Sequence, residues 1–280
     1  MGMTLLVLGL VACGEEGEGE TAVPTPEPEA VAPADTAVPT QPPTPLPEPT
    51  VGETAVPVPT FEPVPVGEAG KVSFHKMTIG ETTIDYAIAL PQNFVQGNEY
   101  PVLLAMPPGP QTRRMVQAGL DLYWGEAVRI DDWVVVSPAA PGRPLFFEGA
   151  ETLIPEFLDR VAATYPPEGG KFHTAGISNG GLSVFRIALN HPERFHSLIA
   201  IPGFPRTEDE FSKLDSLTDI PVALFVGEKE DPAWFEQMER TAQTLEELGG
   251  MVTFVVADDE GHVIRSLDGE DMFARLNSFR

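Results

Sequence analysis

A serine flanked by glycines is the first candidate for chemistry in this chain. Ser178 lies within Gly176-Ile177-Ser178-Asn179-Gly180, which has the pattern G-x-S-x-G. An apolar run precedes the pattern and helical spacing follows it, so it predicts a sharp strand-to-helix turn. Glycine at 176 and 180 removes side chains that would collide across such a turn, which leaves Ser178 pointing outward above the sheet. A serine in that position is a candidate nucleophile.

A serine hydroxyl is a weak nucleophile unless a nearby base accepts its proton. Five histidines are available, and four of them fall in a predicted hairpin, in predicted strands or at a helix end: His75, His173, His196 and His191. His262 alone lies in a loop after the last predicted strand, within Asp258-Asp259-Glu260-Gly261-His262. We therefore predict that His262 is the base.

A third group should orient the histidine and stabilise its charged form. The seventh predicted strand is followed by Gly227-Glu228-Lys229-Glu230-Asp231-Pro232. Asp231 is the predicted acid, although an Asp before a Pro at the first helical position is also a good N-cap. Glu230 and Glu228 remain alternatives.

The elements that must position these groups read as alternating strands and helices. Eight runs predict strands: Val72–Ile79, Thr83–Leu90, Pro101–Met106, Trp133–Ser137, Phe172–Ile177, His196–Ile201, Pro221–Val226 and Met251–Val256. The last six are compact apolar blocks, as expected of parallel strands buried on both faces. The first two are joined by a short link and predict an antiparallel hairpin at the sheet edge. The fold class is therefore α/β, with an eight-stranded, mostly parallel sheet and helices on both faces.

Residues from about Lys71 to Arg280 resemble the α/β-hydrolase superfamily, near its small esterases, feruloyl-esterase-like and polyhydroxybutyrate-depolymerase-like enzymes and serine peptidases. The order of Ser178, Asp231 and His262 along the chain matches the Ser…Asp…His order of that superfamily. The resemblance implies an acyl-enzyme mechanism on a carboxylic ester or amide, without a cofactor or a metal. It also implies two backbone N–H groups that hold the oxyanion.

The two oxyanion donors implied by the resemblance are backbone N–H groups of Asn179 and Gly109. Asn179 directly follows the nucleophile, and Gly109 lies in the loop 106–111 after the third predicted strand. Relatives usually carry His-Gly in that loop, whereas this chain has Pro107-Pro108. Proline has no N–H, so Gly109 is the nearest possible donor.

The approach to the site is predicted to be open. The connection 202–220 leaves no room for a helical lid domain, which favours soluble, bulky or polymeric ester substrates over buried long-chain lipids. Four aromatic residues near the ends of the third and fourth predicted strands are candidates to line the substrate pocket: Tyr123, Trp124, Phe146 and Phe147.

The N-terminus has the features of an export signal. Met3 to Ala12 is an unbroken apolar run, too short to cross a bilayer as a helix but suited to the core of a signal peptide. It ends in Leu10-Val11-Ala12-Cys13-Gly14, which resembles the lipobox of bacterial lipoproteins. The resemblance implies a diacylglyceryl group on Cys13, which would anchor an extracytoplasmic protein to the bacterial cell membrane. No Lys or Arg precedes the apolar run.

The segment after Cys13 is rich in proline and acidic residues. Fourteen of the thirty prolines fall between Pro24 and Pro65, and no Lys or Arg occurs before Lys71. Such a composition predicts a disordered, semi-extended tether. The predicted organisation is therefore a signal peptide over 1–13, a disordered linker over 14–70 and a catalytic domain over 71–280.

The charge balance excludes one class of partner. The formal net charge is −25, and about −14 remains after the linker is set aside. A surface this acidic repels phosphate backbones, so we expect no nucleic-acid partner. Two alternatives to an ester hydrolase remain: a serine peptidase of the same fold, and a lipoprotein that keeps the fold for binding without turnover.

Overall fold

The computed structural model describes residues 62–130 and 132–280. The predicted signal peptide, the lipidated Cys13 and most of the proline-rich linker lie outside the described residues. Within these two ranges, no helix is both long and apolar enough to cross a membrane.

One eight-stranded sheet organises the chain, in the order β1-β2-β4-β3-β5-β6-β7-β8. The strands are β1 Val72–Ile79, β2 Thr82–Ala89, β3 Val102–Met106, β4 Val134–Pro138, β5 Phe172–Ile177, β6 Phe195–Ile201, β7 Val222–Gly227 and β8 Val252–Ala257. The β1–β2 and β2–β4 pairs are antiparallel and all other pairs are parallel. The predicted fold class and edge hairpin are confirmed, with strand ends shifted by one residue at most.

Helices cover both faces of this sheet. The α-helices are α1 Arg113–Leu122, α2 Ile154–Ala162, α3 Asn179–Asn190, α4 Glu208–Phe211, α5 Pro232–Glu247 and α6 Gly269–Asn277. Short 3₁₀ helices occur at Trp124–Val128, Ala150–Leu153, Glu168–Gly170, Pro192–Arg194 and Leu214–Leu217. The connection between β6 and β7 holds only α4 and one 3₁₀ turn, so the described chain has no lid domain there.

Strand β3 shows why the central strands are apolar at every position. Val102, Leu104 and Met106 belong to the core under α2, α3 and α5, whereas Leu103 and Ala105 belong to the core under α1 and α6. Successive side chains point to opposite faces of a sheet. Because helices cover both faces, every side chain of the strand must be apolar, and all five are buried.

The folded unit begins before the predicted boundary at Lys71. The side chain of Val64 is buried, and its carbonyl accepts a hydrogen bond from Thr164 Oγ1 at 3.0 Å. The hydroxyl of Tyr165 donates to Pro65 O and accepts from the N–H of Gly67. The last residues assigned to the linker therefore pack against the start of the segment after α2.

Candidate active site

The turn that carries Ser178 is as sharp as the sequence predicts. Ser178 has φ 55° and ψ −118°, a conformation that non-glycine residues rarely adopt. A Cβ added to Gly176 would lie 2.1 Å from Gly180 O, and one added to Gly180 would lie 2.1 Å from Met106 O. A side chain at Gly176 would therefore force the turn apart, and one at Gly180 would push the turn away from the end of β3. The strained serine is held at the carboxyl end of β5 and the start of α3.

The structure brings His262 to Ser178 across 84 residues of chain. Ser178 Oγ and His262 Nε2 lie 2.7 Å apart. No other histidine bonds to this serine within the described residues. His173, for example, is buried against Ser197, and desolvation and the neighbouring His196 lower its pKa to about 3. That histidine is a neutral part of the core.

Glu230, and not Asp231, is the carboxylate that contacts His262. His262 Nδ1 lies 3.0 and 2.9 Å from the two carboxylate oxygens of Glu230. The Asp231 carboxylate instead accepts the N–H of Ala233 at 3.0 Å, as the N-cap of α5. The prediction that Asp231 orients the histidine is therefore wrong. The capping bond turns the Asp231 side chain toward the helix, and the preceding residue faces His262.

Burial and hydrogen bonding suit Glu230 to this contact. Its side chain is only 3% exposed, and its Oε1 also accepts the N–H of Asp231 at 2.9 Å. A carboxylate can only accept, so Nδ1 of His262 must carry the hydrogen. Nε2 is then left as the acceptor for the Ser178 hydroxyl. The remaining alternative, Glu228, accepts the N–H of Asp259 at 2.9 Å and lies on the surface.

Contacts between the loop after β7 and the loop after β8 hold Glu230 next to His262. A Cβ on Gly227 would lie 2.3 Å from Gly261 O, so the loops meet backbone to backbone. The N–H of Lys229 donates to Glu260 O at 2.7 Å, and its ammonium pairs with Asp259. This pairing lowers the pKa of the Asp259 carboxyl below its usual value.

The N–H groups of both predicted oxyanion donors, Asn179 and Gly109, form no hydrogen bond within the described residues. Asn179 begins α3, so its N–H has no acceptor within the helix. In the loop after β3, three residues are prolines and the N–H of Gln111 donates to Pro108 O at 3.1 Å. Gly109 therefore carries the one remaining N–H of that loop. Asn179 Nδ2 donates to Gly109 O at 2.8 Å, which joins the two elements.

Gln111, which the sequence analysis did not single out, holds the loop after β3 in place through its buried side chain. It is fully buried and has φ 52°. Its Nε2 donates to Ser183 Oγ at 2.8 Å, and its Oε1 accepts the N–H of Phe146 at 2.9 Å. The side chain thus connects the oxyanion loop with α3 and with the loop after β4. The only sequence signal is its place after the proline-rich turn.

Replacing Gln111 with methionine should lower kcat for p-nitrophenyl acetate by about ten- to a hundredfold with little change in KM. Methionine is similar in size but leaves the buried Phe146 N–H without its acceptor and removes the bond to Ser183 Oγ, which then keeps only its own bond to Asn179 O. The loop bearing Gly109 should therefore loosen. Steady-state kinetics and a thermal melt would measure both effects.

Ser197→Ala is the matched control for this change. It removes a buried hydrogen bond to His173 near the amino end of β6, whereas Ser178 lies at the carboxyl end of the parallel strands. We expect it to lower the melting temperature while kcat stays near wild type. A Gln111→Met protein with lowered stability and wild-type kcat would contradict a positioning role.

The four aromatic residues proposed to line the pocket are mostly core. Tyr123, Trp124 and Phe146 are 0 to 2% exposed, and the first two pack under α1 and α6. Only Phe147 belongs to an apolar cluster at the carboxyl edge of the sheet, together with Leu182. That part of the prediction is therefore wrong for three of the four residues.

Trp234 is the aromatic residue that does reach the site. Its ring centroid lies 5.0 Å from that of His262, with the ring planes at 88°. Trp234 shares α5 with Met238 and Leu245, and only the latter two are fully buried. Trp234 lies in the first turn of α5, which begins just after the carboxyl end of β7.

One family model matches more than half of this chain. The family model described as "Putative esterase" matches residues 124–271. A pimeloyl-[acyl-carrier protein] methyl ester esterase from Aeromonas hydrophila is 40% identical over 68 residues, which cover 24% of this chain and 25% of that protein. The chain thus aligns with about a quarter of that relative.

Solved structures share the fold at low sequence identity. A thermostable esterase matches with a TM-score of 0.56 and 20% identity, over 68% of this chain and 56% of that one. An S-formylglutathione hydrolase from Agrobacterium tumefaciens matches with a TM-score of 0.57 and 16% identity, over 77% and 96%. At these identities the likeness concerns the fold.

Proposed function

The chain belongs to the esterase family whose model matches residues 124–271, and from this premise we propose that it hydrolyses carboxylic esters through an acyl-enzyme on Ser178. The observation that carries the proposal is the unbroken hydrogen-bond chain from Ser178 Oγ through His262 to Glu230, with spacings of 2.7 and 2.9 Å. Such a chain is the arrangement by which a serine hydroxyl becomes a nucleophile.

In the acylation half, Ser178 Oγ attacks the ester carbonyl and its proton passes to His262 Nε2. The imidazolium that forms is stabilised by the buried Glu230 carboxylate at Nδ1. The negative charge on the carbonyl oxygen is held by the N–H groups of Asn179 and Gly109. His262 then gives its proton to the departing alcohol, and the acyl group remains on Ser178.

In the deacylation half, water replaces the alcohol. His262 accepts a proton from the water, which attacks the acyl carbonyl while the same two N–H groups hold the oxyanion. Collapse of this intermediate returns the proton from His262 to Ser178 Oγ and releases the carboxylic acid. The exposed position of His262, whose side chain is 42% exposed, supports ready access of water.

Labelling with a fluorophosphonate tests the nucleophile directly. The purified protein should gain one phosphonyl group on Ser178, located by peptide mass spectrometry, and should lose hydrolysis of p-nitrophenyl butyrate in step with labelling. The Ser178→Ala protein should not react. Labelling elsewhere, or full activity in the labelled protein, would overturn the proposal.

We further propose that the enzyme is extracytoplasmic and held to the membrane by a lipid on Cys13. The support is the apolar run over residues 3–12 ending at the lipobox-like Cys13, followed by an acidic, proline-rich segment. The same probe tests this location in fractionated cells. The labelled band should sediment with membranes and move to the soluble fraction in Cys13→Ser, and a wild-type band in the soluble fraction would contradict the anchor.

A further inference from the structure

A partly exposed aromatic surface lies beside the catalytic histidine. Trp234 meets His262 edge to face, and Phe204 meets Trp234 in the same way, with centroids 5.0 Å apart and planes at 77°. Both Trp234 and Phe204 are half-buried, so part of each ring remains open to solvent. A flat apolar group of a substrate bound at Ser178 could pack against the rings of Trp234 and Phe204.

A small buried cluster supports these two rings from below. Leu145, Phe147 and Leu182 form it, and both Phe204 and Trp234 pack against it. These residues come from the connections after β4 and β6 and from the first turns of α3 and α5, all at the carboxyl end of the sheet. The N–H of Leu182 donates to Ser178 O at 3.1 Å. Leu182 therefore connects the aromatic surface to the turn that carries Ser178.

The positively charged side chain of Arg206 lies over Phe147, one of the residues that support this surface. The guanidinium carbon of Arg206 lies 4.7 Å from the ring centroid of Phe147, and the residue is exposed. Its guanidinium forms no ion pair with any carboxylate of residues 62–130 and 132–280. The nearby Glu210 is already occupied by Arg186, at 2.6 Å, and by the backbone N–H groups of Arg206 and Thr207.

The contact with Phe147 leaves this guanidinium able to bind an anion. A guanidinium over an aromatic ring can still present its N–H groups, and their fork geometry matches a carboxylate. The surrounding domain is acidic, with a net charge of about −14 over residues 71–280. An exposed arginine without a carboxylate partner among the described residues is therefore notable on this surface.

We propose that the preferred substrates are esters with a flat, aromatic portion that ends in a carboxylate. The aromatic portion contacts Trp234 and Phe204, and the carboxylate pairs with Arg206. The inference rests on the proposed function, because it extends the same site outward from Ser178. It adds a charge requirement that neither the catalytic geometry nor the family membership contains.

Two pairs of matched esters test the charge requirement on either side of the scissile bond. The first pair is the p-nitrophenyl esters of 3-(4-carboxyphenyl)propionic acid and of its 4-carboxamide analogue. The second pair is the acetate esters of 3-(4-hydroxyphenyl)propionic acid and of its primary amide. Within one pair, wild-type kcat/KM should be about tenfold higher for the carboxylate, through a lower KM, since a charged hydrogen bond is gained. Added salt should reduce the difference.

Arg206→Gln should remove this preference while leaving kcat/KM unchanged for the two amide esters and for p-nitrophenyl acetate. Lys171→Gln is the matched control, because it removes the same charge just before β5, at the amino end of the sheet. It should keep the preference. Trp234→Leu should lower kcat/KM for all four esters of the two pairs more than for p-nitrophenyl acetate.

The outcomes separate this inference from the proposed function. Equal rates within both pairs, or a preference that survives in Arg206→Gln, would overturn the carboxylate subsite while acetate turnover still supports the esterase. Absence of p-nitrophenyl acetate turnover by the folded wild type would overturn the esterase itself.

Discussion

Ser178→Ala should lower kcat for p-nitrophenyl acetate by about three orders of magnitude or more. Alanine removes the only atom that can form the acyl-enzyme, while the two backbone N–H groups remain to polarise the carbonyl. The residual rate should therefore stay above the uncatalysed rate. The turn itself should survive, because the Ser178 hydroxyl bonds only to His262 among the described residues.

Kinetics and a thermal melt on both proteins measure this result. Ser216→Ala serves as the control, since that hydroxyl donates only to Lys213 O on the surface. It should retain wild-type kcat. Equal turnover by wild type and Ser178→Ala at equal stability would show that the activity belongs to another group.

Glu230→Gln should lower kcat by about two to four orders of magnitude, whereas Asp231→Asn should change it less than about twofold. Glutamine keeps the size of Glu230 but removes the charge that stabilises the His262 imidazolium. Its amide can also donate to Nδ1, which would place the histidine hydrogen on Nε2 and block acceptance from Ser178. Asparagine caps a helix as well as aspartate does, so α5 should be unaffected.

The comparison of these two neighbours is the decisive measurement. Both substitutions remove one negative charge from adjacent positions, so an unspecific electrostatic effect would appear in both. Steady-state kinetics on p-nitrophenyl acetate, with melting temperatures for each variant, separate them. A large loss in Asp231→Asn with near-normal Glu230→Gln would restore Asp231 as the orienting acid.

The strands and the nucleophile turn could be read from the chain because their causes are local. A central strand such as β3 must be apolar at every position, since both of its faces are covered, and that pattern is visible in five consecutive letters. The turn at Ser178 requires Gly176 and Gly180 because backbone atoms lie 2.1 Å from where their Cβ atoms would be. The clash at Gly176 is with a residue four positions along the chain. The clash at Gly180 is with Met106 of β3, yet the spacing of both glycines around the serine is visible in the sequence.

Three features depended on distant contacts and were misread or missed. The Glu230 carboxylate faces His262 because Asp231 is turned away by its capping bond, and both alternatives fit the same six-residue stretch. Gln111 is defined by partners 35 and 72 residues away. Trp234 was not singled out, because only its place in the first turn of α5, at the carboxyl end of the sheet, brings its ring to His262.

Sequence alone therefore determined the α/β architecture, the identity of Ser178 as candidate nucleophile and the choice of His262 among five histidines. Only the tertiary structure decided which carboxylate meets His262, what holds the loop bearing Gly109, and which aromatic residues border the site. The physical reason is the range of the interactions. Periodicity and turn sterics act between near neighbours in the chain, whereas side-chain orientation at the sheet edge is set where loops from different strands meet.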